Sequence, residues 1–292
     1  MTTKLAAQNL DAISTSTATP SYDRSTLSAG IVHFGVGNFH RAHQAVYLDS
    51  LFNTGRDHGW AIIGAGVLPS DEKMRRVLAS QDFLTTVVEQ SASRSAARVT
   101  GAMIDFLSPN DPAAIIRTLS DPAIRIVSLT ITEGGYFIDP ATGEFDARDP
   151  EIMADGATPE SPKTVFGVIV AGLKRRRQAG IEPFTVMSCD NIPHNGVVAR
   201  NAVAGLAKLS DPEFSQWIID QVAFPNGMVD RITPATGDRE REILSRDFGI
   251  EDSWPVFCED FTQWVLEDNF PTGRPALEHV GVQFVPDVTP YE

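Results

Sequence analysis

The run Ile31-Val32-His33-Phe34-Gly35-Val36-Gly37-Asn38-Phe39-His40-Arg41-Ala42 sets the reading of the whole chain. Its first part is short, apolar and rich in β-formers, and it stops at two glycines. Residues 42–52 follow with apolar side chains at Ala42, Ala45, Val46, Leu48, Leu51 and Phe52, a helical spacing. A strand that breaks at Gly-x-Gly and enters a helix suits the pyrophosphate of a dinucleotide. Gly35 allows the tight turn, Gly37 allows close backbone approach, and the helix start offers free N–H groups. His40 stands where a third glycine is usual, so the letters alone also suit a plain structural turn.

Working outward, residues 60–67 read as a second strand and residues 71–78 as a short helix opened by acidic side chains. Residues 83–89 and 98–107 suit an antiparallel pair inserted at the edge. Ile124-Arg125-Ile126-Val127-Ser128-Leu129-Thr130-Ile131 is the clearest buried strand, followed at once by Thr132-Glu133-Gly134-Gly135. Ser161-Pro162-Lys163 opens a helix with an N-cap and an N1 proline, and Gly180 stops it. Phe184-Thr185-Val186-Met187-Ser188-Cys189 is a further strand, ending in Asp190-Asn191. After Pro193 the pattern turns mainly helical, through residues 200–209, 212–222 and 238–247. Strands alternating with helices make the fold class α/β: a doubly wound, mostly parallel Rossmann-like sheet with inserted strands and a helical C-terminal portion.

Composition narrows the partners. The 292 residues are 42% hydrophobic and 21% charged, an ordinary globular balance that excludes wholesale disorder. With 38 acidic against 24 basic residues the net charge is −14, which argues against nucleic acid and membrane surfaces. The basic run Lys174-Arg175-Arg176-Arg177 ends an apolar helix and complements its dipole. Two cysteines, Cys189 and Cys258, make no disulfide framework, and no apolar leader or bilayer-length run is seen, so the expected compartment is cytoplasmic.

Several residues carry candidate chemistry. Asp71 and Glu72, just beyond the second strand, suit an adenosine ribose, and their charge would repel a 2′-phosphate and favour NAD over NADP. They equally suit the first turn of a helix. Glu133-Gly134-Gly135 and Asp190-Asn191 follow strand C-termini, where such sheets bind ligands. Asn191 offers an amide to a carbonyl or alkoxide oxygen, although from the residues alone Asn191-Ile192-Pro193 is more simply a turn. His33, His40 and His43 lack any zinc-motif spacing and read as structural, so no metal is expected.

Four ordered motifs then carry a resemblance. Residues 35–43, Thr130-Ile131-Thr132-Glu133-Gly134-Gly135-Tyr136, Ser188-Cys189-Asp190-Asn191-Ile192-Pro193-His194-Asn195-Gly196 and Phe224-Pro225-Asn226-Gly227-Met228-Val229-Asp230-Arg231-Ile232-Thr233-Pro234 together resemble the mannitol dehydrogenase family. The resemblance implies a metal-independent, NAD-dependent polyol dehydrogenase that interconverts D-mannitol and D-fructose. Fructuronate and tagaturonate reductases and arabinitol dehydrogenases are related alternatives, and a dinucleotide-binding module without turnover is another. It implies that Gly35, Val36, Gly37, Asn38, Phe39, His40 and Arg41 hold the pyrophosphate, with Asp71, Glu72 and Glu133 also at the cofactor. Asn191 would contact the reacting oxygen, Asp230 a substrate hydroxyl, and Glu292 the mouth of a proton path. The family's general base is a lysine that would fall about three residues after Glu292. The resemblance therefore implies an arm over 1–28, an NAD-binding domain over 29–285, and in 286–292 the start of a helical substrate domain that would be the natural packing partner.

Overall fold

The computed structural model describes residues 2–292. At its centre lies an all-parallel sheet of β1 (Ala29–Phe34), β2 (Ala61–Ala65), β3 (Met103–Phe106), β4 (Ile126–Leu129) and β5 (Thr185–Ser188), in the order β3-β2-β1-β4-β5. The chain builds from β1 out to β3, then crosses back to lay β4 beside β1. That reversal opens a crevice above the C-terminal ends of β1 and β4. Helices α1 (Asn38–Ala42) and α2 (Gln44–Asn53) follow β1, and α3 (Pro69–Ala79) follows β2. Then come α4 (Pro112–Leu119), α5 (Pro150–Ala157), α6 (Val165–Ala179), α7 (Asn195–Ser210) and α8 (Pro212–Gln221).

Period-two alternation divides the sheet between two cores. Val32, Phe34, Val127, Leu129 and Val186 face α4, α6, α7 and α8. Ile31, Ile62, Ile126 and Met187 face the other way, against Leu48, Leu51 and Phe52 of α2 and against Trp264 and Leu266. Both faces are buried, which is why the strands read as continuous apolar runs. His33 is the exception in β1; its ring reaches Ser128 Oγ at 2.8 Å and Thr130 Oγ1 at 2.9 Å.

The inserted antiparallel pair is present as Thr85–Gln90 against Ser95–Thr100, whereas Met103–Phe106 leaves that pair to become β3. Beyond Pro193 the expected helices form, but strands form there too. Val256–Glu259 runs parallel to Thr85–Gln90, and Gly227–Asp230 pairs with Gln263–Glu267, which Gln283–Val285 flanks. The reading as mainly helical missed them because strand preference depends on the partner, and Val256 pairs with Val87. The segment read as an arm is packed: Thr3–Lys4 pairs with Ile250–Glu251, and Leu5 and Ile13 are buried. Among the described residues no helix is long and apolar enough to cross a membrane.

The start of α6 and the role of the basic run differ from expectation for local reasons. α6 starts at Val165 because the Asp155 carboxylate holds the N–H groups of Lys163 (2.8 Å) and Thr164 (2.9 Å), keeping Ser161-Pro162 outside the helix. Its cap is Thr164, whose hydroxyl accepts from the Gly167 N–H, and Gly180 ends it with φ +66°. In the basic run, Arg176 is buried and donates to the carbonyls of Leu119 (2.7 Å), Glu182 (2.8 Å), Asp121 and Ile124. Burial lowers its pKa to about 10, so it stays charged and clamps α4 and the turn before β4 onto α6. Replacing Arg176 with Met should cost about 3 kcal/mol, because the buried carbonyls lose their donors. The midpoint of urea unfolding, compared with an Arg177→Met control, measures it.

Candidate functional site

The crevice at the sheet reversal is a cleft of about 1150 Å³. The turn after β1 (Gly35, Val36, Gly37) forms its floor. One wall comes from the loop after β2 and the start of α3: Gly66, Val67, Leu68, Ser70, Asp71, Lys73 and Met74. The other comes from Thr130–Thr132 with Gly134, Gly135 and Phe137, continued by α5 and the start of α6. Trp254 closes one side.

The two glycines of the turn are glycine for different reasons. Gly35 has φ +91°, and a Cβ there would stand 2.0 Å from the Thr130 carbonyl oxygen. The fold itself forbids a side chain at that point. At Gly37 the nearest atom to such a Cβ is the Gly35 carbonyl oxygen, 3.9 Å away. Among the described residues nothing requires glycine at 37; a side chain there would only fill the space that a ligand backing onto the turn needs.

The residues after Gly37 do not line the cleft. α1 is five residues long, and the chain kinks at His43 (φ −118°, ψ −91°) before α2 begins. The helix expected from Ala42 onward thus begins afresh at Gln44, and the dipole at Gly37 is that of a short turn. His43 donates from Nε2 to the Gln263 carbonyl at 2.9 Å and packs against Phe39, Tyr47 and Trp264. His40 turns inward and stacks on His33, ring centroids 3.5 Å apart. Asn38 donates to the Pro234 carbonyl and Thr236 Oγ1. Arg41 is buried and donates to Asn38 Oδ1, to the Gly37 carbonyl and to the Trp254 carbonyl. Asn38, Phe39, His40 and Arg41 therefore support the turn from behind instead of facing the cleft.

Of the acidic pair, Asp71 lines the cleft and Glu72 does not. Asp71 Oδ2 accepts the N–H groups of Val67 (3.0 Å) and Leu68 (2.8 Å), closing the start of α3. Burial raises its pKa and those two hydrogen bonds oppose the rise. Gly66 lies directly beneath: a Cβ there would be 2.2 Å from Asp71 Oδ2. Glu72 is held by Arg75 and Arg76, whose hydrogen bonds pull its pKa down to about 2. Glu133 is exposed and outside the cleft lining, although Thr132 and Gly134 on either side belong to it.

Asn191, Asp230 and Glu292 also lie outside this cleft, on its β5 side. Asn191 and Asp230 are exposed, at the ends of β5 and of Gly227–Asp230. The start of α7 ties their neighbourhoods together. Asn195 donates to the carbonyls of Asp190 (3.0 Å) and Gly227 (2.7 Å) and accepts from the Gly227 N–H (2.9 Å). Glu292 accepts the His194 N–H at 2.9 Å. Asp190, not read as a site residue, locks the β4 and β5 ends by accepting from the N–H groups of Ile131 and Thr132 and from the Tyr136 hydroxyl. Burial raises its pKa against those bonds. Gly66 and Trp254 went unread, and Asp190 and Asn195 were quoted in a motif without these roles, because each role is set by the neighbour that packing supplies.

A profile of the mannitol dehydrogenase Rossmann domain matches residues 29–279. The chain belongs to the mannitol dehydrogenase family. It is 62% identical over 274 residues to mannitol 2-dehydrogenase of Cereibacter sphaeroides, covering 94% of this chain and 57% of that protein. It is 49% identical over 289 residues to the polyol:NADP oxidoreductase of Gluconobacter oxydans, covering 98% of this chain and 59% of that one. The Pseudomonas fluorescens mannitol 2-dehydrogenase, solved as a ternary complex with NAD and D-mannitol, superposes with a TM-score of 0.96 at 53% identity. That match covers 99% of this chain and 59% of the other. The chain thus spans about three-fifths of the length of these members of the mannitol dehydrogenase family. Among the described residues no group of three or more His, Cys, Asp or Glu could hold a metal ion.

Two predictions follow the geometry of the turn. Gly35→Ala should lose about 3 kcal/mol or more, since it adds both left-handed strain and a clash with backbone; thermal melts measure it. The second concerns acid. Burial lowers the His33 pKa to about 3 and the His43 pKa to about 4, against about 6.5 in an unfolded chain. Below pH 6.5 the unfolded state therefore takes up protons that the folded state refuses, and stability falls toward pH 4. His43→Gln should flatten this limb in urea titrations at pH 7, 6 and 5; an unchanged slope would contradict the assignment.

Proposed function

We propose that this chain forms the dinucleotide-binding part of an NAD-dependent polyol dehydrogenase that oxidises D-mannitol to D-fructose. The observation that carries the reading is the cleft at the β1–β4 reversal, floored by Gly35-Val36-Gly37, with open space above Gly37. The resemblance to relatives named for mannitol and NAD supports the substrate and the cofactor. When bound, NAD supplies the acceptor for the hydride that leaves the alcohol carbon.

The chain's own residues would then divide the work. Gly35, Val36 and Gly37 would take the pyrophosphate against backbone, with Asn38 and Arg41 holding the turn in place from behind. Asp71, with its Oδ1 free of backbone, would take the adenosine ribose. Thr132 and Gly134 would border the cofactor, with Glu133 at its rim. On the β5 side, the Asn191 amide would hold the substrate oxygen as charge develops on it, and Asp230 would orient a hydroxyl. Glu292, seated on the His194 N–H, would stand on the proton's route to solvent. The proton itself needs a base near the reacting oxygen. In our reading that base is the lysine of the following helical domain, so turnover belongs to the longer protein.

A second reading, a dinucleotide-binding module without turnover, is favoured by the exposure of Asn191 and Asp230 outside the cleft. Calorimetric titration of this chain with NADH, followed by a mannitol and fructose assay, tests the cofactor site that both readings share, and the same assay on a chain extended by the second domain separates them. NADH binding without turnover is the expected result for the 292-residue chain. Turnover at a rate near that of a chain extended by the second domain would place the base within these residues. Lys163, which lines the cleft, and His194 would then be the first substitutions. Gly37→Val should keep the melting temperature and weaken NADH binding about a hundredfold; unaltered binding would remove the cofactor from this turn.

A further inference from the structure

We infer that Arg231 is a positioning residue for both halves of the site: its guanidinium takes the Ala42 carbonyl, breaks the helix behind the glycine turn, and ties that turn to the strand ending in Asp230. The inference rests on the proposed cofactor reading and adds to it a residue outside the cleft lining. In an unbroken helix the Ala42 carbonyl would accept from the Val46 N–H, four residues on. Instead Val46 bonds to the His43 carbonyl at 3.0 Å, and Arg231 Nη1 donates to the Ala42 carbonyl at 2.7 Å. The guanidinium thereby closes the C-terminal end of α1, the end that positive charge stabilises. Because α1 is only five residues long, its other end is the glycine turn itself: the Arg41 N–H bonds to the Gly37 carbonyl at 3.3 Å. A shift of Ala42 is therefore a shift of Gly37.

The remaining contacts of Arg231 fix the strand it comes from. Nε and Nη2 donate to the Glu259 carbonyl at 3.1 and 2.9 Å, and Nη2 donates to Glu89 Oε1 at 2.7 Å. Glu259 in turn accepts the Ile232 N–H on Oε1 at 2.5 Å, while its own N–H donates to the Ile232 carbonyl at 3.1 Å. The backbone just after Arg231 is thus clamped, and Asp230 stands immediately before it. The Arg231 side chain is 1% exposed, so water cannot replace a lost partner. Partners in three directions suit the planar fork of a guanidinium and not the single ammonium of a lysine. On the far side of the break, α2 starts at Gln44, whose amide oxygen accepts from Ser128 Oγ at 3.0 Å, beside His33 of β1. The break that Arg231 imposes is therefore anchored on both sides, to the substrate strand and to the central sheet.

Calorimetry of the 292-residue chain with NADH tests this, with Arg176→Met as the matched control. Arg176 is likewise buried and bonded to backbone carbonyls, but at the edge of the sheet where β4 begins. Arg231→Met should weaken NADH binding about tenfold, whereas Arg176→Met should move it less than about twofold despite its own loss of stability. Arg231→Lys should fall between Arg231→Met and the unsubstituted chain. In Arg231→Ala, millimolar guanidinium chloride should recover much of the binding and an equal concentration of KCl should not; a fold that is merely loosened gains nothing from guanidinium. Unchanged NADH binding in Arg231→Met, an equal loss in Arg176→Met, or no difference between guanidinium and KCl would each overturn the inference and leave the cofactor site standing. Loss of the fold in both Arg231→Met and Arg231→Lys would overturn it too, since the residue would then hold the whole domain and not the turn. Failure of the unsubstituted chain to bind NADH would overturn the cofactor reading itself, and this inference with it.

Discussion

The site depends on the close approach of the Gly35 turn to the end of β4. No side chain fits between Gly35 and the Thr130 carbonyl, and the Thr130 hydroxyl donates to the Gly35 carbonyl at 2.6 Å. His33, buried in β1, reaches the same Thr130 oxygen. These contacts set how far apart the ends of β1 and β4 stand, and so the width of the crevice between them. A methyl group at 35 would force the two strand ends apart and take the cleft floor with it.

Around that contact the loops are fixed by buried polar side chains, each bonded to backbone far away in sequence. Asp190 joins β5 to the turn after β4, and Asn195 joins the same loop to Gly227. Arg231 reaches from the strand that carries Asp230 to the Ala42 and Glu259 carbonyls and the Glu89 carboxylate. Asn38 and Arg41 complete the connection, tying the glycine turn to Thr236 and Trp254. The candidate cofactor and substrate regions thus share one frame. Asp190, Asn195, Arg41 and Arg231 are buried and satisfied by backbone partners, and removing any of these four leaves buried groups unpaired.

How much of this was legible follows from the range of each interaction. The strands β1, β2, β4 and β5 were readable because burial on both faces makes them continuous apolar runs. The glycine turn was readable because its geometry is local. His40 and Arg41 stood in the same motif, and nothing in the letters said that α1 would kink at His43 and turn them inward. Asp71 and Glu72 are adjacent and chemically alike; only the neighbours Val67, Leu68, Arg75 and Arg76 distinguish a cleft residue from a surface ion pair. The strands after Pro193 were missed for a related reason, since their partners are brought to them by the fold.

The sequence by itself determined the α/β class, the strands β1, β2, β4 and β5, the glycine turn and membership of the mannitol dehydrogenase family. Those properties arise from local periodicity, from backbone freedom at single residues and from ordered motifs. Only the tertiary structure decided which members of those motifs reach the cleft and which brace it. Side-chain direction there is set by contacts made across the chain, such as Arg41 with Trp254 and Asn195 with Gly227. A residue's chemistry is written in its letter, but its partner is chosen by packing.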